Sequence, residues 1–389
     1  MRKVLAGLLP ACLAVLLLVA PPAGSATPPA ADDGVGAGAR SRQWQLASLR
    51  LAEAWEVSRG EGVLVAILDT GADPRHPDLV GALVEGPDLT GTRRAKGRWG
   101  RHGTAMASLI AGRGHGPRRA LGVVGVAPAA RVLSIRVTLE NDDPRRGDRR
   151  ARDRGHDALA KGIRYAADQG ADVISMSLGG GSGTWEGSAA EEEAVRYALE
   201  SGAVLVASAG NDGDGPNRKN FPAAYPGVIA VGACDEELKV TEFSNRQDYL
   251  SVLAPGRGIV SADGQDSYVV GDGTSSAAAL VAGIAALVKS AHPALTPLQV
   301  RRAIERGTRR RPTGGHSKAY GYGVASAVLA LRAARKLASN TPLKASGHPA
   351  PYFGDGPGDG ASGSRLAVIA GLLLLAGAMA VRVVVLHRR

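Results

Sequence analysis

Three short strings carry residue types that can do chemistry together: Asp69-Thr70-Gly71, His102-Gly103-Thr104 and Gly273-Thr274-Ser275-Ser276-Ala277. A serine hydroxyl is a weak nucleophile until a base takes its proton, and an imidazole serves best when a carboxylate fixes its other nitrogen. One such group stands in each string: Ser275 as nucleophile, His102 as general base and Asp69 as its orienting carboxylate. The chemistry this predicts is attack on a carbonyl through a covalent acyl intermediate.

Each group needs an element to hold it. Asp69 ends the apolar run Val63-Leu64-Val65-Ala66-Ile67-Leu68, which predicts a strand buried on both faces with the carboxylate at its C-terminal end and Gly71 letting the chain turn away. His102 opens a run of small and apolar residues closed by Gly112, which predicts a helix packed closely on the sheet. At a helix N-terminus the dipole disfavours the imidazolium, while Asp69 pulls the other way. Ser275 precedes the small, apolar stretch Ala277 to Val288, a buried helix whose first N–H groups can hold an oxyanion. A further strand, Ala203 to Ser208, runs into Ala209-Gly210-Asn211, and the Asn211 amide is placed to give the second oxyanion hydrogen bond. In a hydrolase of this type, losing such a donor costs roughly 3 to 4 kcal/mol in the transition state.

The order Asp, His, Ser matters. Chymotrypsin-like triads run His, Asp, Ser and α/β-hydrolases run Ser, Asp, His; the chain also lacks a Gly-x-Ser-x-Gly elbow, which excludes an esterase of the second kind. From about Gln43 to Ala334 the chain resembles the subtilase family of serine proteases, on these strings and on Val126-Ala127-Pro128-Ala129-Ala130, Ser177-Leu178-Gly179-Gly180, Ala254-Pro255-Gly256 and Tyr320-Gly321-Tyr322-Gly323. The resemblance implies an α/β fold of three layers with a mostly parallel, seven-stranded sheet. It implies that Ser177, Leu178 and Gly179 form an edge that pairs with extended substrate backbone, which tolerates varied side chains. The chemistry requires no cofactor or metal; the resemblance allows structural calcium and assigns no ligands here. Ala279 stands where the family usually has proline, and Leu280 where histidine is frequent. Neither carries chemistry, so the expectation is an altered rate, not inactivity.

The ends of the chain suggest where such an enzyme works. Residues 1–26 have a basic start, an apolar core from Val4 to Ala20 and the small residues Gly24-Ser25-Ala26, the pattern of a signal peptide. Residues 27–42 form a short extension, 43–340 the catalytic domain and 341–364 a Gly/Pro-rich linker without apolar period. Residues 365–389 hold an apolar run from Leu366 to Leu386, roughly 31 Å long as a helix, followed by His387-Arg388-Arg389. The basic tail predicts a cytoplasmic C-terminus, and so a single-pass protein of the cell membrane with its catalytic domain extracytoplasmic.

With Cys12 in the signal peptide, Cys234 is left alone and no internal disulfide forms; following Val228 to Ala233, it is expected buried at a strand end. The net charge of +11 accompanies no nucleic-acid motif, and attraction to an anionic membrane or cell wall is a better use of it. The stretch Asn141 to Arg154, rich in arginine and aspartate, is expected as a loop flanking the non-primed subsites, either favouring acidic substrate residues or simply solvated.

Among subtilases the chain resembles the mycosins, membrane-anchored proteases associated with type VII secretion. Gln43-Trp44-Gln45-Leu46 ahead of Ala54-Trp55 carries this, with the signal peptide, the C-terminal membrane helix and an extension too short for a folding prodomain. Protein or peptide substrates, the membrane and a type VII secretion complex are the implied partners. A generic housekeeping subtilase, and a structural subunit that steadies a secretion complex independently of proteolysis, remain open at this point.

Overall fold

The computed structural model describes residues 34–93, 99–147, 149–179, 187–264 and 266–339. The expected signal peptide, linker and membrane helix lie outside these residues. Helices are α1 (Gly34–Ser41), α2 (Trp44–Ser48), α3 (Leu51–Ala54), α4 (Arg101–Ala111), α5 (Arg149–Asp168), α6 (Ala189–Glu200), α7 (Thr274–Ala291), α8 (Pro297–Arg306) and α9 (Ala327–Ser339). Strands are β1 (Leu64–Asp69), β2 (Leu83–Asp88), β3 (Arg113–His115), β4 (Leu121–Val124), β5 (Arg131–Arg136), β6 (Val173–Met176), β7 (Val204–Ser208), β8 (Ile229–Cys234), β9 (Leu250–Pro255), β10 (Ile259–Asp263), β11 (Ser267–Gly271), β12 (Thr308–Arg309) and β13 (Val324–Ala325).

The main sheet has nine strands in the order β12-β13-β9-β8-β7-β6-β1-β5-β2, not the seven expected. All neighbours pair parallel except β12 with β13. The two additional strands have two residues each at one edge, too short to leave an apolar run in the sequence. β3 with β4 and β10 with β11 form separate antiparallel hairpins.

Alternation along the buried strands splits the interior into two cores. On β1, Val65 and Ile67 join the core that contains α4, α7, α8 and α9; Ala66 and Leu68 point to the opposite core, with α5 and α6. Val204 and Val206 against Leu205 and Ala207 repeat the pattern on β7. This makes the three layers that the family resemblance implies. α7 is buried almost throughout, including Ala279 and Leu280. It is the one helix among the described residues long and apolar enough to cross a membrane, and it spends that character on the core.

Strand order also sets the place of a site. The chain passes from β1 to β5 on one side and then returns to β6 on the other, and ligands of open parallel sheets bind beyond the C-terminal strand ends at such a reversal. β1 ends there in Asp69, and the segments that follow β6 and β7 carry Ser177 to Gly179 and Asn211.

The stretch from Asn141 to Arg154 is only partly the expected loop: from Arg149 its backbone is already α5, a 20-residue helix. Arg145 is paired with Asp143, and the half-buried Arg146 donates to the Leu139 carbonyl at 2.8 Å. Both are thereby engaged within the protein. Cys234 is buried as expected, and burial first, then Asp235, pushes its thiol up to about 12.

The short extension carries an element the sequence did not signal. From α1, the Arg40 guanidinium donates to the carbonyls of Gly122 at 2.8 Å and of Arg119 and Leu121 at 3.1 Å. Nearby the buried Asp78 accepts from the Val123 N–H at 2.7 Å and meets His115 Nδ1 at 2.6 Å. Three carbonyls of the turn into β4 thus depend on one side chain. Arg40→Ala is expected to lower the melting temperature by several degrees, about 2 kcal/mol of lost charge-assisted bonds, with little change in turnover; an unchanged melting curve would contradict this.

Candidate active site

Asp69, at the end of β1, accepts the Thr70 N–H at 2.7 Å and meets His102 Nδ1, also at 2.7 Å, through the same Oδ1. The neighbouring elements enforce that meeting. β1 turns away at Gly71, whose φ of +94° favours glycine, and α4 begins directly above. Gly103 packs against this turn: a Cβ there would lie 2.8 Å from the Gly71 carbonyl carbon and closer still to its oxygen. The Gly103 N–H donates to Thr70 Oγ1 at 3.1 Å, so the first turn of α4 is joined to the end of β1. On the outer side Arg101 makes a two-pronged pair with Asp263 of β10, both contacts 2.9 Å.

His102 is 24% exposed and Asp69 1%, so the carboxylate is enclosed while the imidazole has an open edge. Burial works against the imidazolium, but the charge and hydrogen bond of Asp69 outweigh it and the His102 pKa is raised.

Ser275 is the second residue of α7. Its hydroxyl donates to the Ser177 carbonyl at 3.4 Å, and the Ser177 hydroxyl donates to the Ser275 carbonyl at 3.0 Å. The end of β6 is thereby tied to the serine helix. Ser208 Oγ and Asn220 Nδ2 donate to the Leu178 carbonyl at 3.0 and 3.3 Å. These two bonds fix the middle peptide of the segment Ser177 to Gly179.

Asn211 is exposed at the end of β7, with its amide oriented by Thr274: Oδ1 accepts the Thr274 N–H at 2.9 Å and its hydroxyl at 2.8 Å. Nδ2 must then face the other way. A Cβ on Gly273 would lie 3.5 Å from Asn211 Nδ2 and 3.7 Å from the Ser275 nitrogen, so the missing side chain leaves a space between two N–H donors. An oxygen carrying negative charge fits there.

All seven residues singled out in the sequence therefore come to one end of the sheet: Asp69, His102, Ser275, Asn211, Ser177, Leu178 and Gly179. Sequence reasoning passed over Thr70 and Thr274, which stand inside the quoted strings and orient the groups beside them. It also passed over Glu140, which no pattern marks.

An enclosed carboxylate, a partly open imidazole, a serine at a helix N-terminus and two N–H donors beside it are the groups a serine hydrolase uses. The chain belongs to the subtilase family, whose profile matches residues 60–323, and so to a family of subtilisin-like serine peptidases. Within it, the chain is similar to MycP1 from Mycobacterium smegmatis (30% identity, TM-score 0.61, covering 74% of this chain and 84% of that one) and to the MycP3 protease from the type VII (ESX-3) secretion system (31%, 0.62, 74% and 87%). Thermitase of Thermoactinomyces vulgaris is 37% identical over 250 residues, 64% of this chain and 83% of the relative.

Among the described residues no group of three or more His, Cys, Asp and Glu side chains comes together to hold a metal ion. The carbonyls of Arg119, Leu121 and Gly122 gather as calcium ligands do, but they already accept from the Arg40 guanidinium, whose positive charge stands where a metal ion would.

Gly103→Ala tests the geometry. The new methyl meets backbone, so α4 must shift and carry His102 off Asp69; a displacement of about 1 Å costs about a hundredfold in rate. Activity is expected to fall by that order with the circular dichroism spectrum retained; full activity in the variant would contradict the account.

Proposed function

We propose that the protein is a serine endopeptidase in which Ser275 attacks the scissile carbonyl. His102 takes the serine proton and returns it to the leaving amine; Asp69 fixes the tautomer with Nδ1–H and stabilises the imidazolium. The Ser275 N–H and Asn211 Nδ2 receive the oxyanion in the space beside Gly273, and water then releases the acyl group. Extended substrate pairs with the edge formed by Ser177, Leu178 and Gly179. The observation that carries this reading is the 2.7 Å contact of His102 Nδ1 with Asp69, made at the sheet end that also holds Ser275 and Asn211.

We further propose that it acts as a mycosin-like protease of type VII secretion, held on the outer face of the cell membrane by the apolar run of residues 366–386 after removal of residues 1–26. The likeness to the two Myc proteases and the apolar run followed by basic residues support this. A deletion strain that exports type VII substrates normally would contradict that role.

Treating the detergent-solubilised full chain with a fluorophosphonate probe tests the chemistry. The wild type is expected to label and Ser275→Ala to stay unlabelled, while Asn211→Ala loses 10²- to 10³-fold in kcat. Because the base must be neutral and its pKa is raised, kcat/KM is expected to rise with pH through a midpoint above the ordinary imidazole value of 6.5. A midpoint below that value, or a folded wild type that does not label, would overturn the assignment.

A further inference from the structure

Glu140 belongs to none of the strings above. It follows β5, is 7% exposed, and its carboxylate faces the start of α4. Oε1 accepts the Arg101 N–H at 2.8 Å and Oε2 the His102 N–H at 3.4 Å, the first two orphan donors of the helix. The N-cap position itself is Gly100, which offers no side chain for the purpose. Glu140 is also hydrogen-bonded to the Thr70 side chain, and Thr70 Oγ1 in turn accepts the Gly103 N–H. One buried carboxylate therefore joins the base-bearing helix and the residue after Asp69.

We propose that Glu140 is a positioning residue for His102, capping α4 from outside the helix and supplying a second negative charge that offsets the positive helix terminus at the imidazole. This rests on the serine-protease reading of the site. A helix N-terminus depresses the pKa of a histidine within its first turn, and an anion capping the same N–H groups cancels that effect. The charged groups facing the imidazole are Asp69 from β1, Glu140 from the segment after β5 and Arg146 from the turn before α5. Arg101, next to His102, is taken up by Asp263, with Asp142 also in its field. Arg146 faces the imidazole with the opposite sign to the two carboxylates. Burial, and after it the Asp69 charge, raises the Glu140 pKa, while its hydrogen bonds act the other way.

The two contributions separate with two variants. Glu140→Gln keeps the shape and one acceptor oxygen, enough for the 2.8 Å bond from the Arg101 N–H, but removes the charge and the second, 3.4 Å acceptor; Glu140→Ala removes all of these. In the full chain in detergent, Glu140→Gln is expected to shift the acid midpoint of kcat/KM down by about half a pH unit with a few-fold loss in rate. Glu140→Ala is expected to show the same shift and a further loss of about tenfold in kcat. A Glu140→Gln enzyme with an unmoved midpoint overturns the proposal even if its rate falls. To keep this apart from the protease reading, the His102 imidazole is titrated by NMR in the Ser275→Ala background with and without Glu140→Gln. A lower imidazole pKa without the charge supports the proposal whether or not the wild type cleaves peptides, and an equal pKa refutes it.

Discussion

The site depends on a backbone contact before it depends on any side chain: the first turn of α4 lies against the end of β1. Gly103 over Gly71 sets the distance, the Gly103 N–H to Thr70 sets the rotation, and only then do His102 Nδ1 and Asp69 Oδ1 meet at 2.7 Å. An imidazole held this way loses little entropy on reaching the transition state, because the fold has already ordered it. The same contact explains why small residues crowd both strings. Any Cβ at position 103 would push the helix away from the strand.

Around that contact the charges oppose one another. Burial and the helix terminus favour neutral imidazole; Asp69 favours the imidazolium and prevails. A base that is too easily protonated is idle at neutral pH, and one that cannot be protonated fails to deliver a proton to the leaving amine. Glu140 and Arg146 stand on either side of that balance. On the nucleophile side no such tuning is needed, since α7 offers its N–H groups and Thr274 aims the Asn211 amide without ionisable partners.

Much of this was legible in the sequence for a simple reason. Asp69 and Asn211 follow apolar runs, and His102 and Ser275 begin small-residue helices, so each candidate residue marks its own position along an element. Their convergence follows from parallel topology, which sends strand ends and helix starts to the same side of the sheet. Contacts between distant segments left no such mark. Glu140 lies 39 residues from the N–H it caps, and Arg40 lies 82 residues from the Gly122 carbonyl. The two edge strands are too short to show a period, and the start of α5 is written in arginine and aspartate, with no apolar repeat to announce a helix. The pairing of Arg40 with a carbonyl turn likewise has no signature at the level of residue order.

The central claim is that the fold holds Asp69 and His102 in a short hydrogen bond in the resting protein. Proton NMR at low field reads it directly. The account predicts a strongly deshielded Nδ1–H resonance in the wild type that vanishes in Asp69→Ala and persists in Ser275→Ala. A folded wild type without that resonance, or an Asp69→Ala variant that keeps it, would contradict the account.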